Sequence, residues 1–164
     1  NKNCPAEFIY DNLQIQNNVI NSSYQNEVKK LLFLGSACIY PKTTPQPIKE
    51  NYLLTSELEP SNEGYALSKI MGLKMCQYYQ KQYGFNCISL MPANLYGIND
   101  NFNIEKCHVI PALIRKFIDA KEQKLNKVNC FGDGTPIREF LYSEDLADAC
   151  LFLMNNYDLP DTIN

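Results

Sequence analysis

Two short apolar runs on either side of one long helical stretch constrain this chain more than anything else in it. Leu31-Leu32-Phe33-Leu34 contains no polar residue and is stopped by Gly35, and Asn86 to Met91 (N-C-I-S-L-M) is stopped by Pro92. Runs this short and apolar read as strands, and the first reads as one buried on both faces. Between them, residues 63–83 repeat apolar side chains at helical spacing, with Leu67, Ile70, Met71 and Leu73 inward and Gly84 as the stop signal. Strand, helix, strand with short joints describes a right-handed crossover between parallel strands. The expected class is α/β, a parallel sheet covered by helices.

The flanking segments fit that class. Residues 6–25 carry Phe8, Leu13, Ile15, Val19 and Ile20 among Asn and Gln, an amphipathic helix. Pro41, Pro45, Pro47 and Pro60 mark residues 41–62 as a long irregular loop, a length that in compact domains usually serves function. Residues 108–120 predict a second amphipathic helix with Val109, Ile110, Leu113, Ile114, Phe117 and Ile118 as its stripe. Val128 to Phe131, a Gly-Asp-Gly turn at 132–134 and an extended piece from Arg138 to Tyr142 follow. A helix then starts near Glu144, with Ser143 as its N-cap and Glu144 and Asp145 favouring the helix dipole. The closing D-T-I before Asn164 reads as the start of a further strand.

Composition removes several classes of function. The chain has 164 residues, enough for one domain with a sizeable core. No apolar run approaches the roughly 20 residues of a membrane span. Fifteen Lys and Arg against 18 Asp and Glu give a formal charge of −3, so nothing marks a nucleic-acid footprint. The seven cysteines (Cys4, Cys38, Cys76, Cys87, Cys107, Cys130, Cys150) are odd in number, scattered, and contain no C-x-x-C pair. That spacing fits neither a disulfide framework nor zinc, and points to a reducing, cytoplasmic compartment. With His108 the single histidine, a multi-histidine metal centre is excluded and no metal is expected.

Tyr65 and Lys69 stand four residues apart, on one face of the predicted helix. An ammonium held near a phenol favours the phenolate and brings the tyrosine toward a useful acid–base range. The spacing by itself recurs by chance on many helices. Its context is more specific: the pair follows a Pro-rich loop, and that loop follows a buried strand ending in G-S-A-C-I-Y-P (35–41). A serine at the carboxyl end of a parallel strand sits where open α/β sheets bind ligands.

The blocks L-L-F-L-G-S-A-C-I-Y-P (31–41) and N-E-G-Y-A-L-S-K (62–69) resemble the extended short-chain dehydrogenase/reductase family. More closely, P-A-E-F-I-Y-D-N-L-Q-I (5–15), M-P-A-N-L-Y-G (91–97), D-N-F (100–102), H-V-I-P-A-L-I-R-K-F (108–117) and G-D-G-T-P-I-R-E-F-L (132–141) resemble the GDP-L-fucose synthase family within it. These are 3,5-epimerase/4-reductases acting on GDP-4-keto-6-deoxy-mannose with NADP(H). The resemblance runs over nearly the whole chain with its blocks in family order. It implies a Rossmann-like doubly wound parallel sheet and a homodimer through the helices around 6–25 and 63–83. It further implies residues 1–98 as the C-terminal part of an NAD(P)-binding domain and 99–164 as the start of a substrate region returning to the sheet.

Roles follow residue by residue from the same resemblance. Ser36 matches the serine that hydrogen-bonds the sugar oxygen, Tyr65 the acid that protonates the C4 oxygen, and Lys69 the lysine that holds the nicotinamide ribose and depresses the tyrosine pKa. Cys38 and His108 match the acid/base pair at C3 and C5. Leu34, Gly35, Ser36, Ala37, Tyr65, Lys69, Pro92, Ala93, Asn94, Leu95 and His108 match cofactor-contacting positions. Lys116, Phe131 and Arg138 match positions that grip the GDP-sugar. Asn12 matches a structural asparagine. Three positions depart from the family pattern: Ala37 replaces a serine, Lys116 an arginine, and Phe131 an indole.

Other readings accompany these. Without the blocks, Cys38 reads as core packing, His108 as a helix-start polar group, and Arg138 as a turn cap or a partner for Glu139. The remaining cysteines read as structural, and Met71, Met75, Tyr78, Tyr79 and Tyr83 as packing or dimer-face residues. No G-x-x-G-x-x-G or G-x-G-x-x-G occurs, although a dinucleotide fold needs such a turn at its first strand. The expectation is that these residues are the middle of a longer enzyme and inactive alone. Two alternatives remain, another extended-family nucleotide-sugar epimerase or dehydratase, and a non-catalytic binding module. A dehydratase would carry an acid pair just after the serine, where Ala37-Cys38 stand.

Overall fold

The computed structural model describes residues 4–104 and 106–164. In chain order it forms α1 (Pro5–Gln25), β1 (Leu31–Leu34), α2 (Glu63–Tyr83), β2 (Cys87–Leu90), β3 (Asn94–Tyr96), α3 (Val109–Glu122), β4 (Phe140–Tyr142), α4 (Ser143–Asn156) and β5 (Thr162–Ile163). Short 3-10 turns at Ala37–Ile39, Glu50–Tyr52 and Pro60–Asn62 punctuate the Pro-rich segment. The chain divides into two compact units, one of residues up to Ala93 together with Asp148–Asn164, the other Asn94–Ala147. The later boundary falls inside α4.

In the first unit β1 and β2 pair parallel, Leu31 opposite Cys87 through Leu34 opposite Leu90, and β5 pairs parallel on the other side of β2. The parallel crossover expected from the two apolar runs is therefore present. β2, flanked on both edges, is buried at every position. β1 is not: Phe33 is buried but Leu34 is 40% exposed, because only one edge of β1 is paired among the described residues.

Helix α2 lies against β1, β2 and α1. Ala66, Ile70, Leu73 and Cys76, at helical spacing, enter the core beside Phe33, Ile20, Ile39 and Phe85. Burying Ile70 and Leu73 contributes about 1.5–3 kcal/mol each. Leu67 and Met71, expected inward, instead face out, Met71 being 57% exposed. The buried stripe is lined with small residues because α2 approaches its neighbours closely. A Cβ added to Gly72 would come within 2.4 Å of the Phe33 ring and 2.7 Å of Gln16 Oε1. Gly84 ends the helix in the left-handed region, φ 67°, with its N–H on the Gln80 carbonyl.

The last residues of the chain are tied to this unit by Lys30. Its ammonium donates to the carbonyls of Leu153, Met154 and Tyr157 at 3.3, 2.6 and 2.6 Å and to Asp158 Oδ1 at 2.9 Å. A cation thus sits at the carbonyl-rich end of α4, where the helix dipole favours it.

In the second unit β3 and β4 form a parallel ladder, Asn94 opposite Phe140 through Tyr96 opposite Tyr142. α3 buries Pro111 and Ala120, while Val109, Ile114, Phe117 and Ile118 of the expected stripe stay exposed. One helix and two three-residue strands offer too little surface to cover that stripe. Within the extended piece expected from Arg138 to Tyr142, pairing begins at Phe140. α4 starts at Ser143 itself, one position before the predicted start. Among the described residues no helix is long and apolar enough to cross a membrane.

Candidate active site

The carboxyl end of β1 gathers the first group of predicted residues. The Gly35 N–H donates to the Leu90 carbonyl at 2.8 Å. A Cβ on Gly35 would lie 2.3 Å from the end of the Met91 side chain, so the chain crosses close beside Met91 here. The chain then leaves the sheet and coils into the turn Ala37–Ile39, whose cap is Ser36, with its Oγ accepting from the Cys38 N–H at 3.4 Å. The Ala37 N–H reaches the Pro92 carbonyl at 3.3 Å, tying this turn to the end of β2 and the Pro92-Ala93 joint.

Tyr65 and Lys69 come down onto the same place from the first turns of α2. Ser36 hydrogen-bonds the side chains of both Tyr65 and Cys38. Lys69 Nζ donates to the Leu34 carbonyl at 2.9 Å and lies 5.6 Å from the centre of the Tyr65 ring and 5.3 Å from that of Phe33. A hydroxyl, a thiol, a phenol and an ammonium therefore share one end of a parallel strand.

Their electrostatics differ from the sequence expectation in one respect. Burial pushes the Tyr65 phenol above its ordinary value, the charge of a Cys38 thiolate adds to that, and the Ser36 hydrogen bond opposes it. Lys69, 5.6 Å from the ring centre, has its Nζ on the Leu34 carbonyl rather than on the phenolic oxygen. Burial likewise raises the Cys38 thiol, against the Ser36 hydrogen bond and the Lys69 charge. Lys69 is lowered by burial, with Cys38 opposing. In this state the cluster holds a phenol and a thiol, both protonated at neutral pH.

A second group belongs to the unit of residues 94–147. There a cavity of about 520 Å³ has Asn94, Leu95, His108, Phe131 and Arg138 among its lining residues. His108 is the exposed residue just before α3; its carbonyl accepts the first helical hydrogen bond, from Ala112, and its side chain makes no cap bond. Phe131 is 93% exposed, and Lys116 Nζ sits 3.9 Å from the centre of its ring while donating to the Asn129 carbonyl at 2.9 Å. Arg138 Nη1 donates to the carbonyl of Ile137 at 2.9 Å. Lys116 is thus beside the cavity through Phe131, not on its wall. Gly132 and Gly134, both at φ 82°, also line it; their Gly-Asp-Gly signal announced a turn but not a wall. Asn12 is used inside α1, its Nδ2 on the Phe8 carbonyl at 2.8 Å.

A Ser/Tyr/Lys group at the end of a parallel crossover narrows the relatives sharply, and a family model described as the NAD dependent epimerase/dehydratase family matches residues 1–164. The chain belongs to that family. This family member is 57% identical to GDP-L-fucose synthase 1 of Arabidopsis thaliana over 164 residues, 100% of this chain and 51% of the relative. The crystal structure of a GDP-L-fucose synthetase from Naegleria fowleri bound to NADP matches with a TM-score of 0.90 at 35% identity, covering 99% of this chain and 53% of that one. A GDP-mannoheptose C4 reductase from Campylobacter jejuni, with NADP bound, matches at 0.87 and 39% identity, over 97% of this chain and 56% of that one. The chain spans about half the length of the curated relatives it matches.

Proposed function

We propose that the protein bearing this chain is an NADP(H)-dependent 3,5-epimerase/4-reductase that converts GDP-4-keto-6-deoxy-mannose to GDP-L-fucose. The observation that carries this reading is the placement of Cys38 in the same turn as Ser36, beside Tyr65 and Lys69. A ketoreductase needs the last three; a thiol at the same oxygen-binding point adds a group that moves protons on carbon.

Ser36 and Tyr65 donate to the 4-keto oxygen and so hold the negative charge that forms there when a proton leaves C3 or C5. Cys38 takes one role in that exchange, giving or removing the carbon-bound proton. His108, on the other unit, takes the complementary role on the strength of its sequence block. The donor set at the end of β1 fits the nicotinamide end of NADPH, with Lys69 on its ribose, Leu34 to Ala37 and Pro92 to Leu95 as contacting segments, and His108 also in contact. NADPH, when bound, supplies the hydride that reduces C4. Tyr65 then gives its proton to the C4 oxygen, which completes the alcohol.

Lys116, Phe131 and Arg138 bind the GDP-sugar. Phe131 offers a stacking face and Arg138 a phosphate fork, and Lys116 acts as a point charge. Residues 1–98 form part of the cofactor-binding domain, and 99–164 begin the substrate-binding region and return to the sheet. The whole protein works as a cytoplasmic homodimer. The similarity to a C4 reductase that acts on a GDP-heptose favours one second reading, reduction of another GDP-4-keto sugar without epimerisation.

The complete protein is tested with GDP-4-keto-6-deoxy-mannose and NADPH in deuterated water. NADPH oxidation with deuterium at both C3 and C5, and loss of that exchange in Cys38→Ser, is the expected result. Oxidation without exchange establishes the simple reductase instead, and neither signal removes the enzymatic reading.

A further inference from the structure

The interface of α1 with α2 contains polar side chains where an all-apolar one would hold as well. Gln16 of α1 is 6% exposed, and Ser68 of α2 is fully buried at 0%. The Gln16 side-chain amide donates across the interface to the Ser68 carbonyl. The Ser68 hydroxyl donates to the Tyr65 carbonyl at 2.7 Å, three residues back along the helix. Both bonds fall on the one turn of α2 that carries Tyr65 and Lys69. A serine bonding back to its own helix alters that turn's geometry, and a second donor on a helical carbonyl comes only from a neighbour in a fixed position. Gly72, one turn on, lets Gln16 and Phe33 both press against α2.

Buried polar pairs rarely add stability over apolar residues of the same shape, but each bond has one geometry. We infer that Gln16 and Ser68 are positioning residues: they fix the rotation of α2 about its own axis, and thereby the reach of Tyr65 to Ser36 and of Lys69 to the Leu34 carbonyl. Neither touches the reacting atoms. Packing at Ile70, Leu73 and Gly72 holds α2 in place, and the two bonds add a directional constraint at the turn that carries Tyr65 and Lys69. The inference rests on the proposed acid role of Tyr65 only for its kinetic readout.

The test uses the complete protein with Gln16→Met and Ser68→Ala, separately and together. Three quantities are read: the melting temperature, kcat against KM for NADPH-dependent reduction, and the ionisation of Tyr65, taken as the difference titration against Tyr65→Phe. The groups facing Tyr65 in that titration are Ser36, Cys38 and Lys69. The expected result is a kcat lowered about tenfold with KM nearly unchanged, since small misplacements of reacting groups cost this much or more. Tyr65 ionisation moves down toward its ordinary value near 10 as the ring leaves its buried seat. The melting temperature stays close to that of the unchanged protein. A titration and kcat that do not move, or that move only in step with melting, overturn the inference. If the unchanged protein reduces no GDP-4-keto sugar, the functional reading fails, and the Tyr65 titration still decides the positioning role.

Discussion

At the residue scale, the sequence blocks brought together Ser36, Cys38, Tyr65 and Lys69, and the geometry unites all four at the end of β1. What no local pattern contained was the use made of Lys69. Four-residue spacing puts two side chains on one helix face but does not say what else lies within reach, and here the Leu34 carbonyl does. The consequence is a testable ordering of influences on Tyr65. Burial raises its pKa first and Cys38 second, so the phenol stays protonated through the neutral range and gives up its proton only above about 10. In the cofactor-free protein, Cys38→Ser is expected to lower the Tyr65 ionisation point, and Lys69→Met to move it by less. Ultraviolet difference titration of each variant against its Tyr65→Phe counterpart reads this directly. A Lys69→Met shift larger than the Cys38→Ser shift would falsify the ordering.

At the element scale, strands β1 and β2 and helices α1 and α2 were legible because each is a local signal bounded by Gly, Pro or a change of period. The inward face of α2 was not. Apolar residues occupy both sides of that helix, so periodicity could not choose between the Leu67–Met71 stripe and the Ala66–Ile70–Leu73–Cys76 stripe. β3 was hidden for a different reason: a three-residue strand is defined by its partner, here β4 inside the expected extended piece from Arg138 to Tyr142, and not by its own pattern.

The seat of Lys30 at the end of α4 is equally non-local, and it is the tie most open to measurement. Hydrogen bonds to a charged group contribute about 1.5–3 kcal/mol, so Lys30→Met is expected to lower unfolding stability by about 2 kcal/mol in denaturant titration. Asp158 adds a pH dependence. Its pKa is lowered first by the Asn86 amide and then by Lys30, so its contribution is complete above the ordinary carboxylate value near 3.9. That contribution is lost as pH falls through the lowered value. Asp158→Asn should therefore flatten part of the stability loss on the acid side, and an unchanged acid limb would count against this account.

At the scale of the whole molecule, α1 and α2 pack on each other and leave two outward apolar rows. Ile15 and Val19 are one turn apart on α1; Leu67, Met71 and Tyr78 follow one stripe of α2; all are exposed. Scattered single apolar residues need no explanation, but exposed apolar rows on two helices that pack together are of the kind that subunit contacts bury. A two-fold dimer sets the same patch against itself, making a four-helix contact in which each row meets its own copy. That arrangement agrees with the homodimer proposed for the complete protein and specifies where it would be broken. Val19→Glu with Met71→Glu places four like charges in such a contact and none in the core, since both side chains already face out. Sedimentation of the complete protein is expected to give a dimer and the double variant a monomer, with the α/β circular dichroism signal of each subunit retained. A double variant that sediments as the same dimer would place the contact on another face. A variant that loses its secondary structure would mean the two rows are held by the fold of the single chain.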